Sequence, residues 1–483
     1  MRVKKIQIII PPQTLIRNEI PRGNIPYGQL ILATLLERAG YEVNIVDGRF
    51  KDEVPEPRRY NFNTTQGESL ENIIEKIEKF SPDVIGVACL GTYQWNYAEK
   101  VIKAVKEEYS KKVPILLGGI HASFAANEIL ELPIGKYITT IVRGSSIDTV
   151  IATLKKLERG EEPSKITEFK ILNMEEVPPL NFDLLEENKL KKVYGHPFLS
   201  AHGPQKGEKT ANYILSIGCP MACEYCAASY MHGRKITKKK IEHIEEDFKK
   251  LSSLGFDEIN FVDDQFALLP DEYANKVLEL ASKYFKYIFL DGGIYNPAMT
   301  EKKAKMYRDL GVYGCYLATE TPDPTTMKKY KKFKSKEQYL EHLYKVTSIL
   351  NENDILFYTS AILAMPNHNK EFIDTAAEFQ AWLRERGSAF AGFPTLIIFP
   401  GTPNYYRYKD LLKKEKWWAN NSDYYSYSLY MPETLFDIED MNAREVMAYV
   451  RKIHESLNGK VPSLPSSAWN VDKNKYKTYY GIV

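Results

Sequence analysis

Cys219-Pro-Met-Ala-Cys223-Glu-Tyr-Cys226 places three thiols in eight residues, spaced Cys-x3-Cys-x2-Cys. The octet follows a strand-like run, Tyr213 to Ile217, and a turn at Gly218-Cys219-Pro220. Thiolates select soft metals and iron–sulfur clusters. Three ligands, rather than four, leave one iron of a four-iron cluster open to a small molecule. A ferredoxin closes its cluster with a fourth cysteine, and zinc sites favour paired Cys-x2-Cys units. The alternative reading is three buried structural cysteines. The chain has only five cysteines, and packing explains poorly why three share one tight loop. Cys89 and Cys315 read as core residues, so no second cluster is expected.

Downstream of the octet, strand-like and helix-like segments alternate up to about Phe399. The strands are expected at Glu258–Val262, Tyr287–Asp291, Tyr313–Ala318, Ile355–Leu363 and Ala389–Phe399. Helices are expected at Ile241–Leu254, Glu272–Tyr284, Glu301–Leu310, Glu337–Asn351 and Glu371–Arg386. Six repeats, counting the run before the octet, fit a partial (β/α)6 barrel of TIM type. Its site would lie at the strand C-termini. Those ends carry Asp263-Asp264-Gln-Phe266, Gly292-Gly293, Thr319-Glu320-Thr-Pro322 and Pro400-Gly-Thr-Pro403.

The octet and these strand ends together resemble the radical S-adenosylmethionine enzymes. The resemblance implies that Cys219, Cys223 and Cys226 ligate a 4Fe-4S cluster. Its open iron would chelate the amino and carboxylate groups of S-adenosylmethionine, which the reduced cluster cleaves to a 5′-deoxyadenosyl radical. Tyr225 stands where the family has an aromatic residue beside the adenine. Packing is the competing role for it. Asp263 and Asp264 match the family's Asp-Asp-x-Phe near the methionine amino group, and Glu320 matches a fourth-strand glutamate. A turn pair and a helix cap are the plain alternatives for these carboxylates.

The first third also alternates: strands at Lys5–Ile10, Tyr41–Asp47, Val84–Cys89, Val113–Leu117 and Thr139–Val142, with helices between. This argues for a Rossmann-like parallel α/β sheet. Ligands of such sheets sit at the carboxyl ends of the strands. No Gly-x-Gly-x-x-Gly follows the first strand, and there is no phosphate-binding Gly-x4-Gly-Lys-Ser/Thr. The layout is similar to the cobalamin-binding domain that precedes many radical S-adenosylmethionine cores. Pro26-Tyr27-Gly28 opens a helix, Gly118-Gly119-Ile120-His121 makes a turn, and the fifth strand runs into Gly144-Ser145-Ser146. The resemblance assigns Tyr27, Gly28, Thr92, Tyr93, Gly118, Gly119, His121, Gly144 and Ser145 to cobalamin. The cobalt-ligating Asp-x-His-x-x-Gly of vitamin-dependent mutases is absent. The resemblance therefore implies a base-off, His-off cobalamin whose lower face meets Gly91–Trp95. Tyr93 is either an axial ligand or a wall of the corrin pocket. His121 is either a corrin-edge contact or a plain turn histidine.

Composition sets the outer bounds. The chain has 483 residues, enough for two to four domains. Lys+Arg is 65 against 63 Asp+Glu, a balance that argues against a nucleic-acid binder. No apolar run is long enough to span a bilayer. The N-terminus lacks a secretory pattern, and few cysteines suit a reducing cytoplasm. The expected organisation is a cobalamin domain over 1–155, a proline-containing connector over 156–205 and a radical core over 206–403. A tyrosine-rich C-terminal region, 404–483, would follow as an α/β or irregular extension covering the substrate. The basic run Lys328–Lys336 reads as a solvated loop, or as a phosphate attractor. The family resemblance implies a cobalamin-dependent methyltransferase acting on an unactivated carbon of a small molecule or peptide. A reducing donor such as flavodoxin or ferredoxin would supply electrons. Ring contraction, oxidative cyclisation or non-radical methyl transfer keep the same cofactors. A non-catalytic sensor would bind them without turnover.

Overall fold

The computed structural model describes residues 3–15, 23–51, 64–195, 206–323, 333–392, 395–413, 416–421 and 433–458. Two parallel sheets organise them. The first has strands β1 (Lys5–Ile10), β2 (Glu42–Asp47), β3 (Val84–Ala88), β4 (Ile115–Gly118) and β5 (Thr140–Ile141) in the order β2-β1-β3-β4-β5. These strands are near-continuous Ile/Val/Leu runs because both sheet faces are covered. The connecting helices are Tyr27–Arg38, Leu70–Phe80 and Trp95–Glu108. Ser69 caps the second by accepting the Asn72 amide.

The second sheet is built from β6 (Thr210–Tyr213), β9 (Glu258–Phe261), β10 (Tyr287–Tyr295), β11 (Val312–Glu320), β12 (Leu356–Ala361) and β13 (Ala391–Gly392). All six are parallel and adjacent in that order. A separate antiparallel ribbon joins β7 (Ser216–Ile217) to β8 (Thr237–Lys238). The expected run Tyr213–Ile217 is thus split: its start belongs to the barrel and its end to the ribbon. The expected strand Ala389–Phe399 shortens to β13. Residues 395–399, the described remainder of that run, lie outside any strand. There the Leu396 amide bonds instead to the Ala364 carbonyl.

Residues 156–195 are more than a loop. Ile166 and Lys170 bridge in parallel to Ile141 and Gly144, which covers the open edge of β5. The short helix Glu187–Lys192 buries Lys189 completely, and its ammonium donates to the Asp47 carbonyl at 2.7 Å and to Glu186 at 2.5 Å. Asp47 also accepts from Tyr194 at 2.8 Å and pairs with Arg49 at 2.6 Å. A buried charge is tolerable only when paired in this way. At the barrel side, Asp247 accepts from Tyr213, Lys239 and the Leu180 amide at 2.5–2.7 Å. One continuous apolar cluster runs from Ile6, Ile8 and Leu30 through Met174 and Phe182 to Phe248 and Ile259. The two sheets are therefore welded through the connector, which fixes their strand ends relative to each other.

The region after residue 403 contributes the helices Pro403–Tyr408, Trp417–Asn421 and Ala443–Asn458. Tyr424, Tyr425, Tyr427, Tyr430, Tyr479 and Tyr480 lie outside the described residues, as does most of the basic run Lys328–Lys336. No described helix is long and apolar enough to cross a membrane.

Candidate functional site

The three cysteines occupy a loop whose neck is closed by backbone and carboxylate bonds. Gly218 sits at φ +107°, and a Cβ there would lie 2.2 Å from the Lys235 carbonyl oxygen. Only glycine fits that turn. Next to it, the Cys219 amide donates to the Gly233 carbonyl at 3.0 Å. Ala222 adopts φ +49°, a left-handed bend between the first two cysteines that L-residues rarely adopt. The Cys226 amide donates to the Cys223 carbonyl at 3.1 Å, and the Ala228 amide donates to the Cys226 sulfur at 3.4 Å. Such amide–sulfur bonds tune cluster thiolates.

Burial pushes the Cys226 thiol up to about 12, and the charges of Cys223, Asp264 and Cys219 add to it. The three sulfurs therefore sense one another. Among the described residues no three His, Cys, Asp or Glu side chains converge on one ion. A four-iron cluster, with one iron per thiolate, spreads its ligands wider than a single ion does. The donor set and the amide–sulfur bond fit that group.

The two strand-end aspartates do different work. Asp263 is fully buried beneath the loop, at 0% exposure. Its Oδ1 accepts from the Leu215 amide (3.0 Å), the Ser216 amide (2.5 Å) and the Ser216 hydroxyl (2.7 Å). Burial raises its carboxyl to about 7 against these hydrogen bonds. Its Oδ2 is buried and has no hydrogen-bond partner among the described residues. Asp264 instead keeps partial access. Its Oδ2 accepts from the Gly218 amide at 2.7 Å and meets His232 Nδ1 at 2.8 Å. Burial opposes its ionisation, but His232 and the Gly218 amide hold its pKa below the usual carboxylate range. Asp264 thus clasps both ends of the cysteine loop, through Gly218 and His232. His232 and Ser216 carry no motif, and nothing in the sequence spacing marks them.

Tyr225 and Glu320 are brought together. Burial first, then a hydrogen bond to and charge from Glu320, raise the Tyr225 phenol. Glu320 stands at φ +60° beside a bulge at the end of β11. Strain of this kind marks positions held by their surroundings, commonly in functional sites.

Below this layer the barrel interior is polar and aromatic. Inward positions on β12 are half-buried while outward ones are buried, so the interior is open. Tyr358 donates to Asp291, and Tyr316 bonds to Ser360. Tyr358 stacks on Tyr316 with ring centroids 4.8 Å apart, and on Phe289 at 6.1 Å. A Cβ on Gly314 would approach Phe289 to 2.5 Å, so glycine leaves room for this aromatic wall. Sequence reading missed these residues, because alternate positions of a strand reveal their facing only once the barrel closes.

At the first sheet the expected cobalamin residues divide. Gly28 has no atom within 4 Å of a Cβ position, and Tyr93 is 37% exposed at the end of β3. An open glycine at a helix N-terminus and an exposed aromatic at a strand end fit the rim of a large flat ligand. The rest face inward. Tyr27 packs edge-on to Tyr213 at 5.4 Å. Gly119, at φ +106°, lets β4 pass the Cys89 carbonyl, which would lie 2.2 Å from a Cβ. Gly118 accepts the Cys89 amide at 2.7 Å. Gly144 and Ser145 grip the connector, through the Lys170 carbonyl and the Leu172 amide. Thr92 bonds to His121 Nδ1 at 3.2 Å. His121 is buried between Trp95 and Trp418, with ring centroids at 5.6 and 4.5 Å. Burial lowers its pKa to about 3, so it is neutral.

The region after residue 403 reaches the cysteine loop directly. The Asn404 amide donates to the Glu224 carbonyl at 3.1 Å, and Arg407 forms a two-point pair with the Glu224 carboxylate.

Residues 14–152 match the B12 binding domain family and residues 213–380 match the Radical SAM superfamily. The chain belongs to the cobalamin-binding radical S-adenosylmethionine enzymes. It is 23% identical over 420 residues to an uncharacterised methyltransferase of Pyrococcus horikoshii, covering 83% of this chain and 82% of that one. It is 20% identical over 443 residues to cytidylyl-2-hydroxyethylphosphonate methyltransferase of Streptomyces wedmorensis, covering 81% and 79%. The fold resembles that of the radical S-adenosylmethionine methyltransferase TsrM of Kitasatospora setae, solved with cobalamin and a [4Fe-4S] cluster. The TM-score is 0.62 at 16% identity, over 85% of this chain and 78% of that one. It also resembles the cobalamin-dependent radical enzyme OxsB, at TM-score 0.58 and 17% identity over 99% and 64%. The cobalamin domain inferred from Gly-turns and strand order is thus the fold found, joined to the radical barrel.

Proposed function

We infer that this enzyme is a cobalamin-dependent radical S-adenosylmethionine methyltransferase acting on a small molecule, at a carbon that no base activates. The observation that carries the reading is one rigid arrangement of two sites. A connector with buried ion pairs, and Arg407 on Glu224, hold the cysteine loop and the cobalamin sheet in a single packed body. When bound, the cluster and cobalamin would supply the adenosyl radical and the methyl group. Cys219, Cys223 and Cys226 would hold the cluster, and Asp264 would meet the methionine ammonium. Tyr225, oriented by Glu320, would flank the adenine. Gly28 and Tyr93 would border the corrin.

The chain's own residues position and shield. Asp263 and Asp264 fix the backbone at the start of the loop that would hold the cluster. The stacked Tyr316 and Tyr358, with Asp291 and Ser360, would bind the substrate body through ring faces and hydrogen bonds. Once substrate and cofactors fill the barrel interior, the exclusion of water would protect a radical from quenching. An external one-electron donor in a reducing compartment would feed the cluster.

The test is anaerobic reconstitution, then incubation with S-adenosylmethionine carrying a deuterated methyl group and with cell extract. A small molecule that gains the labelled methyl is the expected result. A product that only loses hydrogens, with no label, overturns methylation.

A further inference from the structure

Reductive cleavage of S-adenosylmethionine uses one electron, and the two cysteines outside the loop are too few to hold a second iron–sulfur cluster that would relay it. Cys89 and Cys315 are buried and lie outside the loop. The electron must arrive from another molecule, and the surface beside the cysteine loop is where it would enter.

That surface is Gly233-Arg-Lys-Ile-Thr-Lys-Lys-Lys240, which has five cations and no acid. The chain as a whole carries only +2, so the charge is a local enrichment. Arg234, Lys235 and Lys240 are exposed, and Lys238 lies over the Tyr273 ring at 5.2 Å. Lys239 alone turns inward, to Asp247. Among the described residues no carboxylate is ion-paired with Arg234, Lys235, Lys238 or Lys240. Cations clustered along and beside the ribbon project a positive field that speeds and orients encounter with an acidic partner.

The ribbon also touches the cluster ligands through its backbone. Gly233 accepts the Cys219 amide, the Lys235 carbonyl packs against Gly218, and Thr237 pairs with Ile217. A partner seated on these side chains is separated from the first cysteine by little more than one strand. Ile171, 42% exposed, adds an apolar contact: its Cδ1 would lie 3.1 Å from a Cβ on Gly233. An apolar spot within a charged rim is how specific protein interfaces are built.

We propose that the ribbon Arg234–Lys240, with Ile171 at its edge, docks an acidic one-electron carrier protein. The carrier is oxidised by one electron and the cluster is reduced by one; no atom is transferred. The inference rests on the cluster reading above and adds where its electron enters.

The test compares the anaerobically reconstituted full chain with a triple charge reversal, R234E/K235E/K240E, and with its milder form, R234Q/K235Q/K240Q. The probe is an acidic flavodoxin. Binding is measured by calorimetry at low and moderate salt. Formation of 5′-deoxyadenosine is measured with reduced flavodoxin and, separately, with dithionite. The reversal should weaken binding by at least about tenfold and flatten its salt dependence, with the glutamine form between. Flavodoxin-driven cleavage should fall in parallel while dithionite-driven cleavage and iron content stay at wild-type levels. Wild-type binding and flavodoxin-driven cleavage in the reversal variant would overturn the docking surface. A wild-type chain that binds flavodoxin through the ribbon yet gives no cleavage with dithionite would support the surface and reject the cluster reading.

Discussion

Replacing Asp263 with alanine removes the acceptor that anchors the start of the cysteine loop. Three donors lose their partner: the Leu215 and Ser216 amides and the Ser216 hydroxyl, at 3.0, 2.5 and 2.7 Å. A buried donor left unsatisfied costs about 1–3 kcal/mol. Allowing for some relaxation, Asp263→Ala should cost about 3–5 kcal/mol locally, raising loop opening at least about a hundredfold. Asp263→Asn keeps the Oδ1 acceptor but places an amide NH2 where the unpartnered Oδ2 lies, and should cost about 1–3 kcal/mol, less than alanine. The two variants also differ in pH response. The folded-state pKa, about 7, lies above the ordinary aspartate value of 3.8, so the folded form holds a proton that the unfolded form releases. Stability from this group is therefore greatest near pH 4 and falls as pH rises to 7. The total is at most about 4 kcal/mol for a shift of about three units. Asparagine cannot titrate and should lack that slope. Amide exchange of Leu215 and Ser216, followed by mass spectrometry from pH 5 to 8, reads both effects, with iron content measured alongside. Wild-type protection in Asp263→Ala, or equal losses in the alanine and asparagine variants, would refute the anchoring role.

Gly119→Ala should cost at least about 3 kcal/mol, since its Cβ meets the Cys89 carbonyl at 2.2 Å with φ at +106°; an unchanged melting temperature would contradict this. Gly28→Ala, with open space around its Cβ, should fold as well as wild type but bind cobalamin more weakly, as equilibrium dialysis would reveal. Tyr225→Phe deletes the phenol that meets Glu320, and should weaken S-adenosylmethionine binding roughly tenfold (about 1.4 kcal/mol) without loss of iron. His121 has its pKa lowered from 6.5 to about 3, so the folded form excludes a proton that the unfolded form binds. Stability from it is complete above pH 6.5 and declines as pH falls towards 3, by up to about 5 kcal/mol. His121→Phe should flatten that acid limb in urea unfolding.

The amino-acid sequence by itself determined the two α/β units, their strand order along the chain and the three-thiol loop. Those features are written in short-range patterns: apolar strand runs, helix periodicity, and glycines where a turn demands them. The cysteine spacing is also local, because one loop supplies all three ligands. The expected strand Ala389–Phe399 was longer than the one found, Ala391–Gly392, because an apolar run does not by itself say where ladder pairing stops. Tertiary structure alone decided how neighbours in sequence part company. Asp263 and Asp264 look equivalent as a pair, yet one is sealed beneath the loop and the other stays accessible and meets His232. His121 sits in the expected turn, but Trp418, nearly three hundred residues away, packs over it. Gly144 and Ser145 lie at a strand end, but the connector reaches them first. Such contacts depend on which surfaces close against each other, and that is set by burying the whole chain's apolar area at once rather than by any window of sequence.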